Sequence, residues 1–386
     1  MAFGTQPQVT AQDQFGHLRS GDSIALSIKP GTGTAGAILT CTSNPVTTVS
    51  GIATFAGCRI DKAGTGYQLR ATDSTSVGTG TVDSASMTVN PGAATKLGFL
   101  AQPTRGLTGG TFATQPVIAI QDANGNTVTS ASATNITLTI TTNPGSGSLI
   151  CGGNPVATVA GIATFSLCRI NSIGVGYVLT ASGGSLTNAT SLPFDVSDRL
   201  AFATQPAGAV AGVAFTTQPV IAIQAGAANT AIHDQGTAVT LSISGSPVGV
   251  TLTCTTNPVT AVNGLAAFSG CKIDKIGTYT LLASAVGLTS ATSASLAVTV
   301  GPATKLGFVT QPSSGTVTQA FPAQPVVAVQ DAGGNTVTTG VYSTSVVNLA
   351  ILSNPGGGTL TCTSGLLRVA IAGLASFSGC SIDRTG

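Results

Sequence analysis

A short segment with two cysteines occurs four times in the chain and limits its fold more than any other feature. The copies span residues 39–61, 149–171, 251–274 and 360–383. In each copy the cysteines flank a turn that ends in Gly, and residues rich in Val, Ile, Thr and Phe lie on both sides of it. This pattern is typical of a β-hairpin. Since the segment recurs at intervals of about 105 residues, the sequence predicts a tandem array of similar domains.

The length of the hairpin turn decides whether the two cysteines can meet. In the third copy, a four-residue loop at residues 261–264 would pair Thr260 with Leu265 and bring Cys254 level with Cys271. A two-residue turn would leave these cysteines two positions out of register. The sequence therefore predicts the four-residue loop, with a disulfide bond between the two strands.

A disulfide bond is predicted in every copy. The fourth copy has one extra residue between its cysteines, which we assign to a β-bulge at Gly379 because Gly tolerates a bulge within a strand. The alternative use of the cysteines, a metal thiolate site, would need short C-x-x-C pairs with nearby His, and the sequence has none. Eight cysteines at one repeated spacing fit an oxidising compartment. The predicted bonds are Cys41–Cys58, Cys151–Cys168, Cys254–Cys271 and Cys362–Cys380.

Composition argues against several classes of protein. Charged residues make up 7% of the chain, the formal net charge is +2, and all 12 acidic residues are Asp. We expect no nucleic-acid partner, because this balance provides no basic field. No apolar run approaches the ~20 residues of a membrane span, so no membrane insertion is expected. The N-terminal residues have neither the basic nor the apolar region of a signal peptide. The chain is therefore expected to be a piece of a longer extracellular protein.

Each unit is predicted to be a β-sandwich of about seven strands. In the second unit, an opening strand at residues 94–103 precedes strands at 115–122 and 135–140, then the hairpin, then a strand that begins at Tyr177. This number of short alternating strands, with a Tyr at that position, is typical of an immunoglobulin-like fold. The predicted units are residues 1–92, 93–197, 198–300 and 301–386. The first lacks the opening strand, and the fourth stops before its last two strands.

The alternation within the strands predicts which side chains face the core. Gln8, Thr10 and Gln12 should face water, which turns Val9 and Ala11 inward. The same argument turns a further set of apolar side chains inward in the other units: Ile118, Ile120, Ile136, Leu138, Ile140, Val327 and Val329.

The order of three motifs, Q-D-A-N-G-N-T-V, G-I-A-T-F and D-K-x-G-T-Y-T-L, resembles the bacterial immunoglobulin-like repeats of invasin- and intimin-type surface proteins. Parts of this pattern occur in every unit. The resemblance implies an extracellular or cell-surface location and a structural or adhesive role as a stalk or spacer. It implies neighbouring repeats and a host or cell-surface ligand as partners. The hairpin cysteines depart from the common pattern of the family.

One loop of the second unit is a candidate metal site. Asp122, Asn124 and Asn126 offer oxygen atoms at alternate positions, as a calcium loop does. The alternative is an Asx-type turn between two strands, with Gly125 at positive φ. The other copies favour the turn, because each of them lacks at least one of the three side chains.

Catalysis is not expected, and no cofactor is expected either. His17 lies in a turn, and His233 next to Asp234 is interpreted as a solvated loop pair. A nucleophile, a base and an orienting group would have to converge in one pocket, and the sequence shows no such set. The functional alternative to a stalk is a module that binds carbohydrate or another surface ligand. A cluster of exposed aromatic side chains would distinguish it, but the chain has 4 Tyr and no Trp.

Overall fold

The computed structural model describes residues 2–75, 80–245 and 248–385. Within these ranges the chain has no α-helix and a single 3-10 turn at Val341–Thr344, so the predicted all-β class is confirmed. Among the described residues, no helix has the length and apolar character needed to cross a membrane. We use the predicted bounds of the four units as labels, and the bounds themselves stay a prediction.

The strands are short and follow one another along the chain. The first unit contains β1 Gln8–Thr10, β2 Ser23–Ile28, β3 Leu39–Thr40, β4 Val46–Thr47, β5 Ile52–Thr54, β6 Arg59–Ile60, β7 Gly64–Tyr67, β8 Leu69–Asp73, β9 Thr81–Asp83 and β10 Met87–Val89. The second contains β11 Lys96–Ala101, β12 Gly106–Leu107, β13 Val117–Gln121, β14 Asn135–Thr142, β15 Leu149–Ile150, β16 Val156–Ala157, β17 Ile162–Thr164, β18 Arg169–Ile170, β19 Gly174–Ser182, β20 Ala189–Thr190 and β21 Phe194–Ser197.

The third and fourth units repeat this order. The third contains β22 Arg199–Thr204, β23 Ala209–Val210, β24 Val220–Ala225, β25 Asn229–Thr230, β26 Ala238–Ile243, β27 Leu252–Thr253, β28 Val259–Thr260, β29 Leu265–Ala267, β30 Lys272–Ile273, β31 Gly277–Tyr279, β32 Leu281–Ser284, β33 Ala291–Thr292 and β34 Leu296–Thr299. The fourth contains β35 Ala303–Thr310, β36 Val326–Asp331, β37 Val346–Asn348, β38 Leu360–Thr361, β39 Leu367–Val369, β40 Leu374–Ser376 and β41 Ser381–Ile382.

The second unit shows the arrangement of the two sheets. One sheet has the order β11-β13-β17, and the other has the order β12-β21-β19-β14-β16. Between them lies one cluster of buried side chains that includes Ile118, Leu138, Phe165 and Tyr177. Two sheets that bury their apolar faces against each other form a sandwich, which is the immunoglobulin-like architecture predicted for the chain.

Six of the seven side chains predicted to face inward in the second and fourth units are confirmed, whereas the seventh, Ile140, is only half-buried. Ile118, Ile120, Ile136 and Leu138 are almost fully buried, and so are Val327 and Val329 of the fourth unit. Period-two alternation suffices for this prediction because each strand has one face on the core. In the first unit, however, Val9 and Ala11 are only half-buried.

The hairpin turn differs from the predicted one. Val262 and Leu265 exchange backbone hydrogen bonds of 2.9 and 3.0 Å around a two-residue turn, so the predicted pairing of Thr260 with Leu265 is wrong. β28 pairs with β26 of one sheet, whereas β29 pairs with β24 of the other. Because the two arms of the hairpin belong to different sheets, each arm takes its register from its own sheet.

An asparagine attaches the first arm to its sheet. The Oδ1 atom of Asn257 accepts a hydrogen bond from the Leu241 N–H at 3.0 Å, and its Nδ2 atom donates to the Leu241 carbonyl at 2.8 Å. Asn44 and Asn154 make the same pair of bonds to Leu26 and Leu138. The side chain therefore replaces a neighbouring strand where the chain passes from one sheet to the other.

The cysteines still face each other. β27 pairs with β30, with Leu252 opposite Ile273 and Thr253 opposite Lys272, so the next opposed positions are the two cysteines of this unit. The base of the hairpin, rather than its tip, sets this register. The structure contains all four predicted bonds, Cys41–Cys58, Cys151–Cys168, Cys254–Cys271 and Cys362–Cys380.

The extra residue of the fourth hairpin does not lie in a bulge at Gly379. Gly379 has φ +60°, but Gly57 and Gly270 have φ +62° at the same position of hairpins without an extra residue. The extra residue lies in the first arm, where the Gly365 N–H donates to the Cys362 carbonyl at 2.9 Å and Gly365 has φ +79°. A tight turn with a Gly at positive φ accommodates the added length.

Candidate functional site

A glutamine anchors each disulfide bond to the start of its unit. Gln218 accepts a hydrogen bond from the Cys271 N–H at 2.8 Å and donates to the Phe215 carbonyl at 2.8 Å. Gln6, Gln115 and Gln324 accept in the same way from Cys58, Cys168 and Cys380 at 2.7 Å. These buried N–H groups need a partner, which explains why a Gln precedes the Pro at this position in every unit. Sequence reasoning did not assign this role, although the Gln recurs at a nearly constant distance from the second cysteine.

The tyrosine that follows each of the first three hairpins closes the corner predicted from the sequence. The hydroxyl of Tyr67 donates to the Lys62 carbonyl at 2.9 Å, and that of Tyr177 donates to the Ser172 carbonyl at 3.0 Å. Tyr279 bonds to the Ile276 carbonyl at 3.0 Å. Burial raises the pKa of Tyr177, although the hydrogen bond to Ser172 opposes this shift. The segment between the hairpin and the Tyr is thereby fixed, and this segment meets the next unit.

The candidate metal loop forms a closed turn around one carboxylate. The Oδ1 atom of Asp122 accepts hydrogen bonds from the N–H groups of Asn124 and Asn126, both at 2.9 Å. Its Oδ2 atom accepts from the Gly92 N–H at 2.8 Å and from the Asn126 side-chain amide at 2.9 Å. Gly125 has φ +88°, as the Asx-type turn requires. The carboxylate therefore ties its own turn to the linker between the first and second units.

These donors set the protonation of the carboxylate. Burial is the largest single effect on the pKa of Asp122 and raises it, but the hydrogen bonds from Asn126, Gly92 and Asn124 together outweigh burial. The pKa of Asp122 is consequently lowered from its ordinary value. Hydrogen bonds donated to an ionised carboxylate favour the charged form and therefore lower the pKa of the group.

The asparagine at the end of this turn reaches the preceding unit. The Nδ2 atom of Asn126 donates to the Asp61 carbonyl at 2.9 Å, and its Oδ1 atom accepts from the Ala63 N–H at 2.8 Å. Asp61 and Ala63 lie between the hairpin and Tyr67 of the first unit. One side chain thus bonds at two points to the backbone of the neighbouring unit while Asp122 holds it in place.

The joint between the third and fourth units has the same construction. Asp331 accepts from the Gly301 N–H at 3.0 Å and from the side chain of Asn335 at 3.0 Å. Asn335 in turn donates to the Asp274 carbonyl at 2.8 Å and accepts from the Ile276 N–H at 3.3 Å. Two joints out of three therefore use an Asp and an Asn four residues apart.

The joint between the second and third units uses different side chains. The loop of the third unit has no Asp, and Asp198 of the linker accepts a hydrogen bond from the Gly226 N–H at 2.8 Å. Asp195, a fully buried residue of the second unit, accepts from the His233 ring at 2.8 Å and from the His233 N–H at 2.7 Å. It also accepts from the Gly176 N–H at 2.8 Å. A histidine and a buried carboxylate thus take over the role of the Asp–Asn pair.

Of the three candidate metal ligands, the structure brings two together. Asp122 and Asn126 are in contact, whereas the side chain of Asn124 is exposed and this residue contributes its backbone N–H. Within residues 2–75, 80–245 and 248–385, no group of three or more His, Cys, Asp or Glu is placed to hold a metal ion. The bonds of Asp122 and Asn126 assign both residues to the joint.

The interpretation of His233 and Asp234 as a solvated pair is wrong. His233 bonds to Asp195, which lies 38 positions earlier in the chain. Asp234 is buried and accepts hydrogen bonds from the hydroxyl and the N–H of Thr237 at 2.5 and 2.9 Å. The sequence could not reveal these partners, because one lies in another unit. His17 does lie at the surface and contacts Asp13 at 3.1 Å.

Comparisons with known proteins return structural similarity only. No protein-family model matches the chain, and no curated protein matches it. The C-terminal 282-residue fragment of intimin, solved in complex with the intimin-binding domain of the translocated intimin receptor, is 14% identical. That comparison covers 57% of this chain and 67% of the fragment, with a TM-score of 0.27. Invasin, a bacterial integrin-binding protein, is 14% identical over 96% of this chain and 69% of its own, with a TM-score of 0.24.

A third solved structure is a glycosyl hydrolase family 2 protein from Bacteroides cellulosilyticus. It is 15% identical over 41% of this chain, with a TM-score of 0.23. The present chain spans about a fifth of that protein, 21% of its length. Intimin and invasin are the two kinds of bacterial surface protein that the sequence motifs resemble.

Proposed function

We propose that this chain is a non-catalytic structural and adhesive repeat region of a bacterial cell-surface or secreted protein, which acts as an extended stalk or spacer. The observation that carries the proposal is the two-point contact of Asn126 with the backbone of the preceding unit. Asn335 repeats this contact at another joint. A chain of independent domains on flexible linkers has no need of such contacts, whereas a spacer that keeps a fixed length does.

The joints combine covalent and non-covalent constraints. The linkers at residues 90–92 and 300–302 are short and contain Pro, which limits their flexibility. At two of the three joints, the linker Gly donates its N–H to the Asp of the loop that follows it in the chain. Because Asn126, Asn335 and Asp195 each bond both to their own unit and to a neighbour, bending a joint would break several hydrogen bonds together.

The four disulfide bonds support the proposed location. Each bond closes a hairpin of its own unit, so each unit is stabilised separately in an oxidising, extracellular setting. Neighbouring repeats are the immediate partners of each unit, and a host or cell-surface ligand is the further partner. The most exposed aromatic side chains, Phe15 and Tyr342, belong to the first and fourth units, which does not favour a single carbohydrate platform.

Small-angle X-ray scattering of the oxidised chain tests the stalk. A 100-residue domain has a radius of gyration of about 13 Å, so an extended array should show a maximum dimension several times that of one domain. The distance distribution should keep its separate inter-unit peaks at both low and high salt, because the joints are mainly hydrogen bonds to backbone groups. A compact particle, or a broad distribution typical of freely jointed units, would contradict the proposal.

A further inference from the structure

The first unit has an open groove between its two sheets. The groove has a volume of about 980 Å³, and Val9, Leu26, Leu69 and Met87 are among the side chains that line it. On one side of the groove lies β1, which pairs only with β5 among the described strands. The other edge of β1 is therefore without a strand partner in the described part of the chain.

In the other units, an opening strand occupies the equivalent place. β11 pairs antiparallel with β13, and β22 pairs in the same way with β24. Leu97 and Leu200 of these opening strands are each only 4% exposed, and Phe99 and Phe202 pack against the same cores. In the second and third units, the space between the sheets thus holds a Leu and a Phe two positions apart.

Residues around the groove are exposed where their equivalents are buried. Ser84 is exposed, although Ser191 and Ser293, which make the same hydrogen bond to the strand before them, are buried. Met87 is half-buried, whereas Phe194 at its position in the second unit is almost fully buried. The first unit therefore has the same sandwich as the second and third units, but the side chains that an opening strand would cover are more exposed in it.

The polar contacts of an opening strand also have counterparts at the groove. Gln102, at the end of the strand, accepts a hydrogen bond from the Leu192 N–H at 2.9 Å. The corresponding residue of the first unit is Ala85, which lines the groove. At the other end of the strand, Gly92 donates to Asp122. The corresponding carboxylate is Asp13, in a loop of the same form, where Oδ1 accepts from the His17 N–H at 2.9 Å.

The groove also continues into an interface already described. Residues 90–92, Asp122 and Asn126, which form the joint between the first and second units, lie at one end of it. A strand in the groove would therefore contact both the first unit and the joint. Among the described residues, the lining of the groove includes three carboxylates and no basic side chain, and its apolar side chains favour a strand with apolar side chains at alternate positions.

We propose that this groove binds an extended peptide strand of the type Thr-Lys-Leu-Gly-Phe, which adds to the free edge of β1 in antiparallel orientation. By the register of β11 on β13, the Leu would lie opposite Ala11 and the Phe opposite Val9. Ala11 and Val9 are smaller than Ile120 and Ile118, so the groove has room for both side chains. Hydrogen bonds between the backbones of the peptide and β1 orient the peptide, and burial of the Leu and the Phe supplies most of the affinity.

A second copy of the chain is the less suitable occupant. β11, β22 and β35 each already pair with a strand of their own unit, over five or more residue positions. Donating one of them to another molecule would open the donor unit. A separate strand of the same sequence type has no such penalty.

Binding of a synthetic peptide to the full oxidised chain tests the proposal. The peptide has the sequence of residues 91–103 and carries a fluorophore, and its anisotropy is measured against protein concentration. We expect saturable binding with one peptide per chain. A peptide with Asp in place of both Leu97 and Phe99 should bind about a hundredfold more weakly, because the apolar burial is lost. No binding, or equal binding of both peptides, would overturn the proposal.

Two further changes test the strand geometry separately from the apolar contacts. Leu97 N–H donates to Thr187 on the other side of β11, so by alternation the Gly98 N–H faces β13. A peptide with sarcosine in place of Gly98 loses this donor and should bind about tenfold more weakly. In the protein, the Ala11 N–H donates to the Gly51 carbonyl of the hairpin. By alternation, the Thr10 N–H therefore faces the free edge of β1.

The variant Thr10→Pro should therefore reduce peptide binding about tenfold while its thermal unfolding stays close to that of the wild type. Unchanged affinity for both the sarcosine peptide and this variant would exclude strand addition. Sedimentation measurements address the alternative occupant. If the chain self-associates and the peptide does not dissociate the complex, a second copy covers the groove and the proposal is wrong.

Discussion

The side-chain amide of Asn126 bonds to the backbone of Asp61 in the preceding unit, with 2.9 Å between Nδ2 and the carbonyl oxygen. Asn335 makes the same contact with Asp274 at 2.8 Å. In both cases an Asp four residues earlier holds the Asn side chain in position. The connection between units therefore depends on a few identifiable side chains, which makes the proposed stalk open to mutational tests.

Asn126→Ala should loosen the joint between the first and second units. The substitution removes two hydrogen bonds to the first unit, each worth about 1 kcal/mol, and leaves the sandwich cores unchanged. Spin labels in the two units should report a broader distance distribution by pulsed electron resonance. Asn229→Ala is the matched control, because Asn229 ends the equivalent loop of the third unit but is exposed. An unchanged distribution in Asn126→Ala would contradict the role of the joint.

His233→Ala should loosen the joint between the second and third units. The change removes the contact of the His233 ring with the buried carboxylate of Asp195 at 2.8 Å and keeps the hydrogen bond from the backbone N–H of residue 233. A buried polar group that loses a hydrogen-bond partner destabilises the folded state. The distance distribution across this joint should widen, and the second unit should unfold at a lower denaturant concentration. His17→Ala is the control, since the His17–Asp13 pair lies at the surface. Equal effects of the two variants would contradict the role of His233 in holding the second and third units together.

Removal of a disulfide bond should weaken its own unit and no other. For a loop of this size, Cys151→Ala with Cys168→Ala should lower the free energy of unfolding of the second unit by about 3 kcal/mol. Hydrogen exchange followed by mass spectrometry can assign the loss to residues 93–197. A comparable loss of protection in the third unit would show that the units do not fold independently.

The joint at Asp122 should weaken in acid. The folded-state pKa of Asp122 is lowered, so the ionised carboxylate stabilises the folded state. This contribution is complete above the unfolded-state pKa of about 3.9 and is lost as the pH falls through the lower folded-state pKa. The difference in urea midpoint between the wild type and Asp122→Asn should therefore be large at neutral pH and shrink in acid. A difference that does not vary with pH would contradict this assignment.

The fourth unit should be the least stable part of the chain. Leu306 of its opening strand is 55% exposed, whereas Leu97 and Leu200 at the same position are 4% exposed. Less apolar burial means a smaller stabilisation by the hydrophobic effect. Amide hydrogens of β35 and β36 should exchange faster than those of β11 and β13. Equal protection in the second and fourth units would refute this expectation.

Much of the fold could be predicted from local patterns in the sequence. The two-cysteine repeat predicted the partner of every cysteine, although the turn from which we derived the pairing was wrong, because the strand pairs at the base of the hairpin set the register. Alternation predicted that Ile118 and Leu138 face the core, because successive side chains of a strand point to opposite faces of the sheet. The position of Tyr177 predicted its corner, since its hydroxyl bonds to a carbonyl only a few residues away.

The tertiary structure decided what depends on segments far apart in the chain. The arms of the hairpin around Val262 and Leu265 separate into two sheets, because each arm pairs with a strand of its own sheet. His233 takes its partner from another unit, and Asn126 bonds across a joint to the backbone of the preceding unit. Repeats and alternation determine which residues face a core, but they carry no information on which donors and acceptors of two different units come within hydrogen-bonding distance. That depends on how the folded units are placed against each other.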